Sequence, residues 1–163
     1  AHALSMLCRY GGHVSSFYSV AEHCLLVERI AEERTMFVYE GESRNQLRRE
    51  ALVHDAAEAY LIDLPAPFKR MQEMAHYRAA EERLAYELRS WFGLRATETA
   101  FVKDIDVEIR GTEARQLFRV IPPEWEAKLA PVITGIQCGT MSPIEAKTAW
   151  LAKFWELWPD FKE

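Results

Sequence analysis

Apolar residues recur at three- and four-residue intervals along most of this chain, and no stretch alternates strictly over a strand's length, so the pattern predicts an all-α fold. A helix opens at Ser19, whose spacing to Glu22 is that of a capping box, and its apolar positions continue through Leu25, Leu26 and Ile30 to about Arg34. A second helix is predicted from about Arg44 to Leu61, with Leu47, Ala51, His54, Asp55, Glu58 and Ile62 on one face and Pro65 and Pro67 to end it. Further helices are predicted over 73–92, where Tyr77, Leu84, Leu88 and Phe92 mark the buried side, over 97–119, and over 143–157 behind the start signal Ser142-Pro143-Ile144-Glu145. Glycine and proline gather at Gly11-Gly12, Pro65 to Pro67, Pro122-Pro123 and Pro131 to Gly139, which reads as loops between long helices. With no repeat, low-complexity tract or long linker, residues 1–163 are read as a single domain.

One pair breaks the apolar face of the second helix. His54 and Asp55 stand side by side among Ala51, Leu52, Val53, Ala56 and Ala57, and an ionised carboxylate taken out of water costs several kcal/mol unless a cation or donor compensates it. A divalent metal would supply the charge. Helix residues three and four apart lie about 5–6 Å from each other at Cβ, which brings Glu58 toward both His54 and Asp55. Imidazole and carboxylate donors suit Mn, Co, Zn or Fe, and Mg also fits where substrate oxygens complete its shell. This segment alone is too small a ligand set. His23, in the first turn of a separate helix, and Asp106, inside Phe101-Val102-Lys103-Asp104-Ile105-Asp106, are the natural additions. Asp104 competes with Asp106, since the two sit about 200° apart around one helix axis.

Composition narrows the partners. The 163 residues carry 20 Lys plus Arg against 25 Asp plus Glu, a net charge of −5, which disfavours a protein that binds by neutralising a nucleic-acid backbone. Cys8, Cys24 and Cys138 are odd in number and far apart, so neither a disulfide framework nor a zinc-thiolate site is expected, and a reducing cytoplasm fits best. No run of about 18 apolar residues and no charged-then-apolar leader is found, so neither a membrane span nor export is expected.

The succession His23, His54-Asp55, Asp106 resembles the HD-domain metal-dependent phosphohydrolases, whose pattern is a His, a His-Asp pair and a distant Asp. More narrowly, Leu7-Cys8-Arg9-Tyr10-Gly11-Gly12-His13, Tyr18-Ser19-Val20-Ala21-Glu22-His23 and Leu52-Val53-His54-Asp55-Ala56-Ala57-Glu58-Ala59-Tyr60 are similar to the branch that contains bacterial 5'-deoxynucleotidases. Small phage enzymes that hydrolyse dATP belong to the same branch. The resemblance covers nearly the whole chain and implies an HD-domain helical bundle.

It also implies roles. His23, His54, Asp55 and Asp106 would hold one divalent ion, with Asp106 preferred over Asp104 by the Val-Lys-x-x-Asp spacing, and Asp55 and Glu58 would serve catalysis, Glu58 by orienting or deprotonating the attacking water. Arg9 matches the family arginine that holds a phosphate through its planar fork of donors. Tyr10 takes the place of an aromatic that lies against the sugar, and its added hydroxyl either meets a ribose 2'-OH or faces water. Lys69 reads as a second positive charge over the substrate or as a solvated loop lysine, and Pro67 as a neighbour of the base. The implied activity is release of phosphate from a small nucleotide, a (deoxy)nucleoside monophosphate first, with dATP triphosphohydrolysis and a catalytically silent nucleotide-binding protein as alternatives. The family implies a homo-oligomer, for which the aromatic C-terminal helix offers a contact. Trp150, Phe154, Trp155 and Trp158 are read as one packing stripe, and Glu113 with Arg115 as a buried network bracing its helix.

Overall fold

Ser19 caps the first long helix as its sequence predicts. Its hydroxyl accepts from the Glu22 amide at 3.0 Å in the computed structural model, which describes residues 1–161. The reciprocal half of the capping box is replaced, because the Glu22 carboxylate accepts instead from the Thr140 amide at 2.9 Å and the Thr140 hydroxyl at 3.2 Å. That exchange ties the loop before the last helix to the first turn of this one. The helices in chain order are α1 (His2–Met6), α2 (Val20–Thr35), α3 (Gly41–Val53), α4 (Glu58–Leu61), α5 (Ala66–Lys69), α6 (Ala75–Trp91), α7 (Ala100–Leu117), α8 (Pro123–Glu126) and α9 (Pro143–Leu157). The fold is all-α. An isolated antiparallel bridge joins Cys8 to Ser19.

α2 is the centre of the bundle. Eleven of its sixteen residues are buried, which a helix achieves only when it is covered on most sides. On one side Val27, Ile30 and Ala31 meet Val102, Ile105 and Ile109 of α7, and on the other Val20, Ala21 and Cys24 meet Leu4, Leu52, Trp150 and Phe154. Two charged residues in this core satisfy each other: Arg48 of α3 donates to Glu28 of α2 at 2.7 Å and reaches Glu156 of α9 at 2.8 Å, so neither Arg48 nor Glu28 is buried unpaired. The start of α7 is fixed by Thr99, which caps the Val102 amide at 3.3 Å, while the buried Glu50 of α3 takes the Thr99 amide. Asp106 inherits its position from that register. Among the described residues, no helix is long and apolar enough to cross a membrane.

Three expectations are corrected. The predicted helix from Arg44 to Leu61 is broken: α3 stops at Val53, and residues 54–57 form a tighter turn, with bonds from the Ala56 amide to Val53 at 2.9 Å and from the Glu58 amide to Asp55 at 3.0 Å. Pro65 and Pro67 do not end that helix; α4 already ends at Ile62, which adopts a φ of 59°, and the prolines open α5. The face of α6 marked by Tyr77, Leu84 and Leu88 is only half-buried, because α6 lies on the outside of the bundle and buries no residue fully. The aromatic stripe of α9 is core through Trp150, Phe154 and Trp158, stacked at 5.5 and 4.8 Å, while Trp155 turns outward.

Gly111 lets the backbone of α7 and of Ala130 come close together, since a Cβ there would lie 2.1 Å from the Ala130 carbonyl oxygen and 2.9 Å from its carbon. A helical Gly→Ala change normally gains about 1 kcal/mol, whereas overpacking a tight contact costs about 1–3 kcal/mol. Here the second effect wins, so Gly111→Ala is expected to lower stability by roughly 1–2 kcal/mol in urea unfolding. A midpoint at or above wild type would contradict the contact.

Candidate metal centre

Four acceptor-bearing side chains converge from three parts of the fold. The first turn of α2 supplies His23, the turn between α3 and α4 supplies His54 and Asp55, and the middle of α7 supplies Asp106. His23 Nε2 lies 3.2 Å from His54 Nε2, 3.5 Å from Asp55 Oδ2 and 3.4 Å from Asp106 Oδ1, and His54 Nε2 lies 3.3 Å from Asp55 Oδ2. Asp104 is exposed, whereas Asp106 is half-buried and is the one of the two that reaches His23.

The outer nitrogens of the imidazoles fix their protonation. His23 Nδ1 sits 2.6 Å from a Glu113 carboxylate oxygen, and His54 Nδ1 sits 2.8 Å from the Ala51 carbonyl, an acceptor with no proton to give. In the neutral rings each Nδ1 therefore carries the hydrogen, and each Nε2 is left as the acceptor that faces the cluster. Two lone pairs and two carboxylates facing one another repel unless positive charge sits among them. His54 responds in that sense: burial would push its imidazole down, but the Asp55 charge and the neighbouring Cys24 push it well up. Burial likewise opposes ionisation of Asp55, yet His54, Arg9 and His23 hold that carboxyl well below the usual range. The nitrogen and oxygen donors of His23, His54 and Asp55 could hold a divalent ion of the Mn, Co, Zn or Fe type.

Around this set the structure brings together most of the other predicted residues. Glu58 is buried, its Oε2 has no hydrogen-bond partner among the described residues, and burial followed by the Asp55 charge pushes its carboxyl well above the ordinary range. Arg9 is also buried; it donates to Asp55 Oδ2 at 2.9 Å and lies 3.9 Å from Glu113, while its Nε finds no partner among the described residues. Lys69 is drawn to Glu81 at 2.7 Å, and Pro67 is exposed on α5. Tyr10 differs from both sequence readings of its hydroxyl: it turns inward and donates to Glu113, while the ring meets Phe118 edge-on at 4.9 Å.

Glu113 also differs from expectation. It does not pair with Arg115, which instead donates to the carbonyls of Gly111 and Ala130 at 2.9 and 2.7 Å. Fully buried, it receives His23 Nδ1, the Tyr18 hydroxyl at 2.8 Å and the Tyr10 hydroxyl. Its place seven residues after Asp106 put it on the same face of α7, and that spacing was the signal for it. Two further carboxylates went unremarked in the sequence. Asp63 accepts from the Tyr10 amide at 3.1 Å, and Glu98 has a carboxyl raised by burial against the opposing charges of His54 and Arg89. Both lie in loops, where no periodicity places a side chain.

No protein-family model matches the chain. It is 36% identical over 141 residues to the "Uncharacterized protein YfdR" of Escherichia coli, an alignment that covers 86% of this chain and 68% of that protein. The chain belongs to the YfdR family. An uncharacterized protein of Rhodobacter capsulatus is 30% identical over 163 residues, covering 94% of this chain and 80% of the relative.

In this YfdR-family chain, burial pushes the Glu113 carboxyl up, but the charges of His23 and Arg9 and the hydrogen bonds outweigh it and bring the value down to about 2. A carboxyl depressed on folding contributes stability above its unfolded value, near 4.3, and that contribution is lost as pH falls toward about 2. Glu113→Gln has no such proton to take up, so its stability curve should fall less steeply than wild type between about pH 4.3 and pH 2 in denaturant titrations. Parallel curves would contradict the depressed carboxyl.

Proposed function

We propose that this protein is an HD-domain metal-dependent phosphohydrolase that releases phosphate from (deoxy)nucleoside 5'-monophosphates. The observation that carries the reading is the trio His23, His54 and Asp55, whose acceptor atoms lie within 3.2–3.5 Å of one another, with Asp106 3.4 Å from His23 and both imidazoles oriented by their outer hydrogen bonds. Positive charge among them would relieve the repulsion that Arg9 and Arg110 relieve only from outside, and the donor chemistry suits a transition metal. His23, His54, Asp55 and Asp106 would hold it. A divalent ion bound there lowers the pKa of its water and withdraws charge from phosphoryl oxygens.

The chain's own residues do the rest. Glu58 is within one turn of Asp55 and buried, and burial with the Asp55 charge raises its carboxyl well above the ordinary range, which makes it a stronger base than a solvated carboxylate and suits it to orient a water and accept its proton. Arg9 keeps its charge under all working conditions and holds a buried donor in reserve, which suits it to a phosphate oxygen. The pairing of Lys69 with Glu81 removes one of the extra positive groups a triphosphate would need, which favours the monophosphate over dATP. The intact Glu58 argues against a catalytically silent nucleotide-binding protein. We read the enzyme as cytoplasmic, supported by three cysteines that stay free of disulfides, and as a homo-oligomer, supported by the outward Trp155 and Ile144 on α9.

The test is product analysis. Metal-stripped protein receives Mn, Co, Zn or Mg and a panel of (d)NMPs and (d)NTPs, and chromatography separates orthophosphate from triphosphate. Orthophosphate from dNMPs is the expected product; triphosphate from dATP would establish the alternative, and no turnover with any metal would establish the silent protein. Glu58→Ala should lose on the order of 10²–10⁴-fold in turnover while keeping its metal content, and unchanged turnover would remove Glu58 from the mechanism.

A further inference from the structure

Glu113 is a fully buried carboxylate that the proposed mechanism does not use and that Arg115 does not pair. Burying such a charge costs several kcal/mol unless donors surround it. Its donors come from two places with different tasks. His23 belongs to the candidate metal centre, whereas Tyr10 and Arg9 lie on the turn Arg9–Gly12, which carries the arginine proposed to hold phosphate. Tyr18 completes the set from the segment between them.

The turn needs this anchor. Tyr10 sits at a φ of 58°, a conformation that costs a residue with a side chain about 1–2 kcal/mol and so must be held by contacts from outside the turn. The holds are Asp63 on the Tyr10 amide and Glu113 on the Tyr10 hydroxyl. Arg9 is similarly shared, 2.9 Å from Asp55 and 3.9 Å from Glu113. An ion drawing on Asp55 Oδ2 competes with Arg9 for that oxygen. Arg9 is then held chiefly by Glu113, with its unpartnered Nε free to meet an anion.

We propose that Glu113 is a positioning residue that couples the two halves of the site, so that a divalent ion at His23 and an oxyanion at Arg9 bind cooperatively. The proposal rests on the metal-centre reading above and adds a link that the ligands alone do not provide. One carboxylate orients the His23 ring through Nδ1 and fixes the Arg9–Tyr10 turn through the phenol. Thermodynamic linkage then requires phosphate to tighten metal binding by the same factor that metal tightens phosphate binding.

The experiment titrates Mn²⁺ into wild type, Glu113→Gln and Tyr10→Phe, each with and without inorganic phosphate, and follows binding by calorimetry. In wild type, phosphate should raise the Mn²⁺ affinity by a factor of about 5 or more. Glu113→Gln should bind Mn²⁺ about 10–100-fold more weakly and lose most of the phosphate enhancement. Tyr10→Phe removes a donor that touches no candidate ligand, so its Mn²⁺ affinity should stay near wild type while the enhancement shrinks. Wild-type Mn²⁺ affinity and wild-type enhancement in Glu113→Gln would overturn the proposal and leave the metal centre standing. No Mn²⁺ uptake by wild type would overturn the metal-centre reading and the coupling with it. Should Glu113→Gln not fold, Tyr10→Phe decides: an undiminished enhancement overturns the coupling, and a diminished one at unchanged Mn²⁺ affinity upholds it.

Discussion

Everything near the site follows from the need to balance negative charge in a dry interior. Asp55, Asp106, Glu58 and Glu113 lie within the same packed region, and Arg9 is the cation that reaches two of them directly. At such separations an unbalanced carboxylate is costly, because low dielectric strengthens repulsion as much as attraction. The structure answers in three ways. Glu113 is surrounded by donors, Asp106 is tied to Arg110 one turn along α7, and Glu58 is pushed toward its neutral form. The acceptors around His23 Nε2 are left facing one another, and that excess of negative charge is what supports the proposal of a cation there.

The bundle is arranged so that this charge can be held in place. α2 runs through the middle with α7 on one side and α9 on the other, so His23, projecting from its first turn, is reached from several elements at once. The break after Val53 matters as much. A continuous helix would place His54, Asp55 and Glu58 by helical geometry alone, whereas the tighter turn aims His54 Nε2 and Asp55 Oδ2 at one point while the Ala51 carbonyl fixes the ring. Departure from ideal helix at a chemically loaded segment is a common way to aim side chains.

The remainder of the core is ordinary packing with one polar insertion. Arg48 satisfies Glu28 and reaches α9, joining three helices through a pair that neither apolar surface nor a lone charge would tolerate. Outside this frame α6 covers the bundle without burying any residue fully, and Phe154 of α9 and Trp158 just beyond it pack against Phe92.

Sequence periodicity determined the helical class, the caps at Ser19 and Ser142, the span of α9 and the candidate ligands, because these depend on local spacing and on the cost of burying a charge. It placed Glu113 on the inner face of α7 but assigned it the wrong partner, Arg115, since a helical wheel tells which way a residue faces and not what it meets. The break at His54, the inward turn of the Tyr10 hydroxyl and the capture of Lys69 by Glu81 were decided by tertiary contacts alone. Asp63 and Glu98 lay beyond sequence reasoning for the same reason. Hydrogen bonds between residues fifty or a hundred positions apart carry no period, and only the packed chain brings their partners together.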